Sequence, residues 1–237
     1  MRENSVDIIL PVYYEQDNIE KVINGIEKHV KAPHKITVVL QDKNDPTVKV
    51  LKKIQKKVKI LNFIFTKDGI GMLKALKEGF KSTNLPIITM MMADLSDDPR
   101  DIDKMIKKIN DGYDLVCASR YISPGKRLGG PKFKGFLSWL ACISLRIATG
   151  IPTNDATNAF KTFRRRVIKQ IEIQSSHGFE MPLELTTKAY KKGFKIGEVS
   201  TIWRDRQEGE SKFKLWQNIP YYLRWYLYGI FNRTFDK

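Results

Sequence analysis

Apolar runs and helical stripes take turns along the first half of the chain. Residues 6–12 are an apolar run with a proline near its end and read as a buried strand. Over 17–29, Ile19, Val22, Ile23 and Ile26 recur at helical spacing. The same alternation predicts strands over 35–40, 59–65, 86–92 and 114–119, and helices over 47–57, 71–81 and 99–110. In the last helix Ile102, Met105, Ile106 and Ile109 share one face. Strand and helix alternating in this way imply an α/β fold, with a mostly parallel open sheet and helices on both faces.

The second half follows another pattern. Residues 126–134 are a basic, glycine-rich loop, and 136–150 a nearly all-apolar helix. A loop and short strand over 151–166 lead to a helix over 178–192 carrying Glu180 and Glu184, and then to an alternating strand over 195–202. Residues 213–235 are aromatic and apolar with few charges. There is no internal repeat and no Pro/Gly/Ser linker. The division is therefore a catalytic domain over 1–212 with an aromatic, basic C-terminal segment over 213–237.

Ligands in open parallel sheets sit beyond the carboxyl ends of the strands. That rule selects 11–17, 40–47, 66–71 and 93–99, all rich in acid, glycine or proline. The last contains "MMADLSDDP". Asp98 precedes Pro99 and reads as a helix N-cap. Asp97 is either solvated or facing the same helix dipole. Asp94 ends a buried strand, where an unpaired carboxylate is costly. A hard cation, Mg²⁺ or Mn²⁺, would remove that cost, so Asp94 is the expected metal ligand.

Charge narrows the partners. Forty-two Lys and Arg against 26 Asp and Glu leave a net charge of +16, which suits anionic lipid headgroups, phosphorylated molecules or nucleic acid. The basic residues fall on loops and no nucleic-acid motif accompanies them, so nucleic acid is not an expected partner. Arg120 directly follows a strand, with Lys126, Arg127, Lys132 and Lys134 after it, a cluster fit for an anionic acceptor if it is not simply solvated. "RDRQEGESK" places Arg204, Arg206, Ser211 and Lys212 around Gly209, with forked and point donors for phosphate oxygens. Gly69 and Gly71 form either a phosphate-cradling turn or a plain one. Asp155 either stabilises its loop or faces a ligand. Cys117 and Cys142 lie in apolar runs without metal-ligand spacing and read as buried thiols. The N-terminus does not read as a signal peptide, and no run of about 18 apolar residues predicts a membrane span.

"ILPVYYEQDNI", "GIGMLKALKEGF", "MMADLSDDP", "ASRY", "TNDATNAFKTFRR" and "WRDRQEGESKF" occur in the order seen in glycosyltransferase family 2. The chain resembles that family's dolichyl-phosphate (polyprenyl-phosphate) mannose and glucose transferases over nearly its whole length. The resemblance implies a GT-A type nucleotide-diphosphosugar transferase fold and transfer of a hexose from a GDP-mannose or UDP-glucose type donor to a polyprenyl phosphate, with inversion. It assigns donor binding to Pro11, Tyr13, Glu15, Asp45, Gly69, Gly71, Lys74, Ala93, Asp94, Arg206, Ser211 and Lys212. Metal binding falls to Asp94 with Ser96, and the acceptor phosphate to Arg120 and Arg127. Asp94, Asp155, Arg120, Arg206 and Lys212 are the expected catalytic set.

Departures cluster at the nucleotide and metal face. Met92 replaces the first acid of the family's Asp-X-Asp, Gln41-Asp42-Lys43 replaces an Asp-Asp-Gly-Ser run, and Tyr14 stands where Asn is usual. Two alternatives stay open: transfer to a saccharide acceptor in surface polysaccharide synthesis, with Asp155 or Glu184 as the base, or a catalytically inactive relative. Phe136, Trp139 and the aromatics from Trp216 to Phe231, interleaved with Arg224 and Arg233, suit either core packing or the headgroup layer of an anionic membrane. The second option implies a peripheral protein on the cytoplasmic face.

Overall fold

A computed structural model describes residues 4–67, 69–206 and 215–231. Seven strands form the central sheet: β1 (Val6–Val12), β2 (His34–Leu40), β3 (Leu61–Phe65), β4 (Ile87–Met90), β5 (Leu115–Ser119), β7 (Lys161–Arg164) and β8 (Ile196–Ser200). Their spatial order is β3-β2-β1-β4-β7-β5-β8. All neighbours pair in parallel except β7, which runs antiparallel between β4 and β5. Every residue of β1 is buried, as expected of a central strand covered on both faces.

Helices α1 (Ile19–His29), α2 (Thr47–Gln55) and α4 (Ile102–Asn110) are amphipathic, burying the faces their spacing predicts. With β1 and β2 they enclose one core around Ile8, Leu10, Ile23 and Met105. The opposite face of the sheet carries a second core, in which α3 (Met72–Ser82) and α7 (Met181–Lys191) meet Ile9, Met90 and Phe163. Gly79 marks the closest approach of α3: a Cβ there would lie 2.5 Å from Ile9.

Three details depart from the expected elements. The helix over 99–110 begins as a 3-10 turn, Pro99–Asp101, capped by Asp98, which accepts from the Arg100 amide. Its N-cap role is as read from Pro99. The expected strand over 195–202 is two: β8 stays in the main sheet, while β9 (Ile202–Arg204) pairs in parallel with β6 (Lys126–Leu128). Thr201 is the crossing point, its N–H donating to Ser119 and its carbonyl accepting from Lys126. A short helix, α6 (Arg165–Gln170), follows β7 within the stretch expected to end as loop and strand.

The apolar helix α5 (Lys132–Thr149) begins ahead of its expected start, and α8 (Leu215–Phe231) carries the aromatic C-terminal stretch. α8 packs on both α5 and α7. Trp225 is its anchor, 2% exposed, and Tyr226 donates to Ser144 of α5 at 2.9 Å. Both helices keep an outward apolar face: Phe133, Phe136, Trp139 and Ile147 on α5, Trp216, Leu223 and Phe231 on α8. No helix among the described residues is long and apolar enough to cross a membrane.

Candidate active site

At the carboxyl end of the sheet, a cavity of about 820 Å³ opens between β4, β5, α5 and α8. Its wall carries the charged side chains of Asp94, Asp97, Arg120 and Arg127 and the aliphatic ones of Leu137, Leu140, Leu145, Leu183, Ile219 and Leu223.

The acid loop after β4 supplies Asp94, Ser96 and Asp97 to the cavity wall. Asp94 accepts from the Ser96 amide at 3.1 Å, and Asp97 from the Met92 amide at 3.0 Å. Leu95 between them takes a left-handed backbone, φ 63°, a conformation uncommon for a non-glycine residue and often found at functional sites. Of the two roles open to Asp97 from sequence, solvated or facing the helix dipole, the first is corrected. Asp97 is buried, and burial, reinforced by the neighbouring Asp94 charge, pushes its carboxyl up to about 7, against the Met92 hydrogen bond. Asp98 behaves oppositely: burial raises it, but the bonds from the Arg100 side chain and amide outweigh that and hold it below the usual range.

Arg206 joins the acid loop to the first strand. Its Nη2 lies 2.8 Å from Glu15 Oε1 and 3.3 Å from Asp94 Oδ2. Glu15 is fixed from both sides, its carboxylate accepting from Asn18 and its amide donating to Thr47. Burial raises the Glu15 carboxyl, and Asn18 and Arg206 pull it back. Arg206 follows β9, whose Arg204 amide donates to the Ser96 carbonyl at 2.9 Å; the β6–β9 ribbon thus carries Arg206 to the acids.

The other expected donor residues line the carboxyl ends of β1, β2 and β3, outside the cavity wall. Pro11 is buried in β1 opposite Val39. Tyr13 is half-buried, beside Tyr14, whose N–H donates to Asp45 at 2.7 Å and whose φ is 58°. Asp45 is buried and also accepts from the Thr47 amide, so its visible work is to tie the Tyr14 turn to α2. Gln41, standing where the family has an acid, accepts from the Gly71 amide at 2.8 Å and donates to Val12 O. Gly69 accepts from Thr66, and Lys74 on α3 extends toward both glycines. Ala93 is buried behind Met92, which does line the cavity. Ser211 and Lys212 lie outside the described residues.

The arginines of the acceptor end differ. Arg120 is held by Asp155 through Nε at 2.7 Å and Nη2 at 2.8 Å, and also donates to Thr157. Burial opposes its charge, but Asp155 more than compensates, so the guanidinium stays ionised. Asp155 itself is fully buried behind Arg120 and forms no part of the cavity wall. Arg127 makes no such pair among the described residues; its guanidinium lies 5.1 Å from the centre of the Trp203 ring. Glu184, an expected alternative base, is corrected: it is fully buried on α7, accepting from the amides of Gln174 and Ser175 and pairing with Lys188 at 2.6 Å. A carboxylate so saturated has no access to a substrate.

Sequence reasoning passed over Trp203 and left the role of Asp97 open. The β6–β9 pairing that aligns Arg127 with Trp203 is set by tertiary structure and has no local signal; Asp97 was marked only by its place in the acid cluster. No group of three or more His, Cys, Asp or Glu among the described residues gathers to hold a metal ion. A Mg²⁺-type ion needs only one or two protein carboxylates when substrate phosphates complete its shell. Asp94, with Asp97 next to it, fits that smaller donor set.

The profile of the family described as "Glycosyl transferase family 2" matches residues 7–172. Over 224 residues the chain is 30% identical to a dolichol-phosphate mannosyltransferase of Pyrococcus furiosus, covering 92% of this chain and 62% of that protein. It is 26% identical to a polyprenol monophosphomannose synthase of Mycolicibacterium smegmatis, over 86% of this chain and 79% of the relative. Among solved structures, glucosyl-3-phosphoglycerate synthase of Mycobacterium tuberculosis, in complex with Mn²⁺, UDP and glucosyl-3-phosphoglycerate, superposes with a TM-score of 0.68 at 15% identity, covering 97% of this chain and 80% of that one. At that identity the likeness concerns the fold, which is of the GT-A type.

Proposed function

The chain belongs to glycosyl transferase family 2, and on that premise we propose that it moves a hexose, with mannose the first candidate, from a nucleotide diphosphate sugar to a polyprenyl phosphate, inverting the anomeric carbon. The observation that carries this reading is the mixed lining of the cavity. Cations and acids share its wall with aliphatic side chains of α5 and α8. A phosphate on a long apolar chain matches both kinds of surface at once; a saccharide matches only the charged one. The names of the mannosyltransferase relatives support the same acceptor class.

The chemistry follows from charge. An acceptor phosphate is already an anion near neutral pH, so its oxygen attacks the anomeric carbon without a base, from the side opposite the diphosphate. Arg127 faces the cavity to receive that phosphate, and Arg120, held by Asp155, presents a fixed positive field beside it. The departing diphosphate gathers negative charge, which Arg206, placed by Glu15, is positioned to stabilise. Lys212 and Ser211 are proposed to close over the same group. Asp94, with Ser96 beside it, would hold a Mg²⁺ or Mn²⁺ ion. The chemistry such an ion supplies when bound is neutralisation of the diphosphate. Donor contacts along Pro11, Tyr13, Glu15, Asp45, Gly69, Gly71 and Lys74 complete the proposal.

The outward faces of α5 and α8 support contact with a membrane surface. Trp139, Trp216 and Phe231 are exposed on helices that also line the cavity. A lipid acceptor could pass from an anionic bilayer between these helices into the cavity without crossing water. The proposed setting is the cytoplasmic face of such a membrane.

The test is transfer of radiolabelled hexose from GDP-mannose and from UDP-glucose, with and without Mn²⁺, to farnesyl phosphate. Label in the lipid phase, dependent on the phosphate, is expected. Transfer only to sugar hydroxyls would replace the lipid acceptor and assign the base to Asp97, the cavity carboxyl lifted to about 7.

A further inference from the structure

Arg127 is delivered to the cavity by β6, whose register sets it opposite Trp203 of β9. Its guanidinium is boxed in. The Trp203 ring forms one wall, with the ring centre 5.1 Å away. Two glycines form the others. A Cβ on Gly135 would fall 2.2 Å from Nη1 and 3.2 Å from Cζ, and one on Gly130 would fall 2.5 Å from Nη2. Its Nε is buried without a hydrogen-bond partner, and no carboxylate lies within ion-pair distance of it among the described residues. Asp205, beside Gly130, favours its charge, and Arg120 opposes it.

We propose that Gly135 and Gly130 are positioning residues for acceptor binding: by lacking side chains they leave open the slot that holds the Arg127 guanidinium against Trp203 and aims it at the phosphate of the acceptor. This rests on the lipid-phosphate reading above.

Two observations support the assignment. First, Gly135 lies inside α5, where glycine is a poor helix residue and any small side chain would serve the helix better. What a methyl group there would meet is Arg127, so the space has a use. Second, burial and the neighbouring Arg120 charge push the Arg127 guanidinium down in pKa. A cation so placed is short of counter-charge, which a bound phosphate would supply. Gly130 has a left-handed backbone, φ +70°, so its substitution would strain the turn as well. Gly135 is the cleaner probe, because the atom displaced is the tip of a flexible side chain and not backbone.

The experiment is calorimetric titration of the full chain with farnesyl phosphate and with farnesol, on the wild type, Arg127→Ala, Gly135→Ala and the double variant. Losing a charge-assisted contact should weaken phosphate binding about tenfold or more in Arg127→Ala. Gly135→Ala should weaken it severalfold, with farnesol binding and donor KM unchanged, and with a melting temperature equal to the wild type's or higher. In transfer assays its KM for the lipid phosphate should rise more than kcat falls. The double variant should bind no more weakly than Arg127→Ala. Wild-type affinity in Gly135→Ala, an undiminished glycine effect in the Arg127→Ala background, or loss of cooperative unfolding in Gly135→Ala would each overturn the proposal. Failure of the wild type to bind farnesyl phosphate would instead overturn the acceptor reading beneath it.

Discussion

Arg206 Nη2 donates to Glu15 Oε1 at 2.8 Å, a contact across 191 positions of chain. It brings together the loop after β1 and the segment after β9, and the second oxygen in reach of the same nitrogen is Asp94 Oδ2. One guanidinium thus balances two acids at the mouth of the candidate donor site. A diphosphate arriving there would compete for Arg206 and leave Asp94 open to a divalent ion.

Asp94→Ala and Arg206→Ala should each reduce hexose transfer by about 10²–10³-fold, as expected for groups that stabilise the leaving charge. Asp94→Ala should not shift the urea midpoint much, since Arg206 keeps Glu15 as its partner. Full activity in Asp94→Ala would remove that residue from the mechanism.

Asp155→Ala strands the Arg120 guanidinium, which is 12% exposed and loses both of its strongest bonds. Breaking a buried pair from one side costs about 3–5 kcal/mol. The double variant Arg120→Met with Asp155→Ala should recover part of that loss in denaturant unfolding. Equal cost in the single and double variants would show that Asp155 acts through its bond to the Arg120 amide and not through the charge.

Asp97 predicts a pH dependence. Its folded pKa, about 7, lies above its unfolded value of 3.8. Between those values the folded protein holds a proton that the unfolded chain has released, so this residue's contribution to stability is full below about pH 4 and lost as pH rises through 7. A shift of that size corresponds to at most about 4 kcal/mol. Asp97→Asn keeps an acceptor for the Met92 amide and should flatten the profile between pH 4 and 7. An unchanged slope would mean that the carboxyl titrates in its ordinary range.

Trp225 is 2% exposed and lies over the Lys188 ammonium, 4.6 Å from Nζ to the ring centre. Trp225→Ala should cost about 3–5 kcal/mol in chemical unfolding and loosen α8, a helix that lines the cavity with Ile219 and Leu223. Lipid-phosphate transfer should then fall while binding of the nucleotide donor holds. Loss of both together would show that α8 supports the whole domain.

What the sequence determined is local. Periodicity alone marked the five strands and four helices of the first half, because a buried parallel strand must be apolar throughout and a covering helix must be apolar on one stripe. Asp98 was legible as a cap because proline at the next position leaves few other roles. The resemblance of six ordered motifs pointed to the family, and among the described residues it named, Glu15, Asp94, Arg120 and Arg206 lie at the carboxyl end of the sheet. Tertiary structure decided the rest. Which arginine is free and which is spent depends on Asp155 coming to rest behind Arg120, 35 positions away. Lys126, Arg127 and Leu128 of β6 are too few and too basic to show a strand pattern; they become a strand only because β9 supplies hydrogen-bond partners. Asp97 carries the same letter as Asp94 and Asp98, yet one is lifted, one lowered and one set opposite an arginine. A residue's charge state is set by the solvent it loses and the partners it meets, and neither is written in the order of the chain.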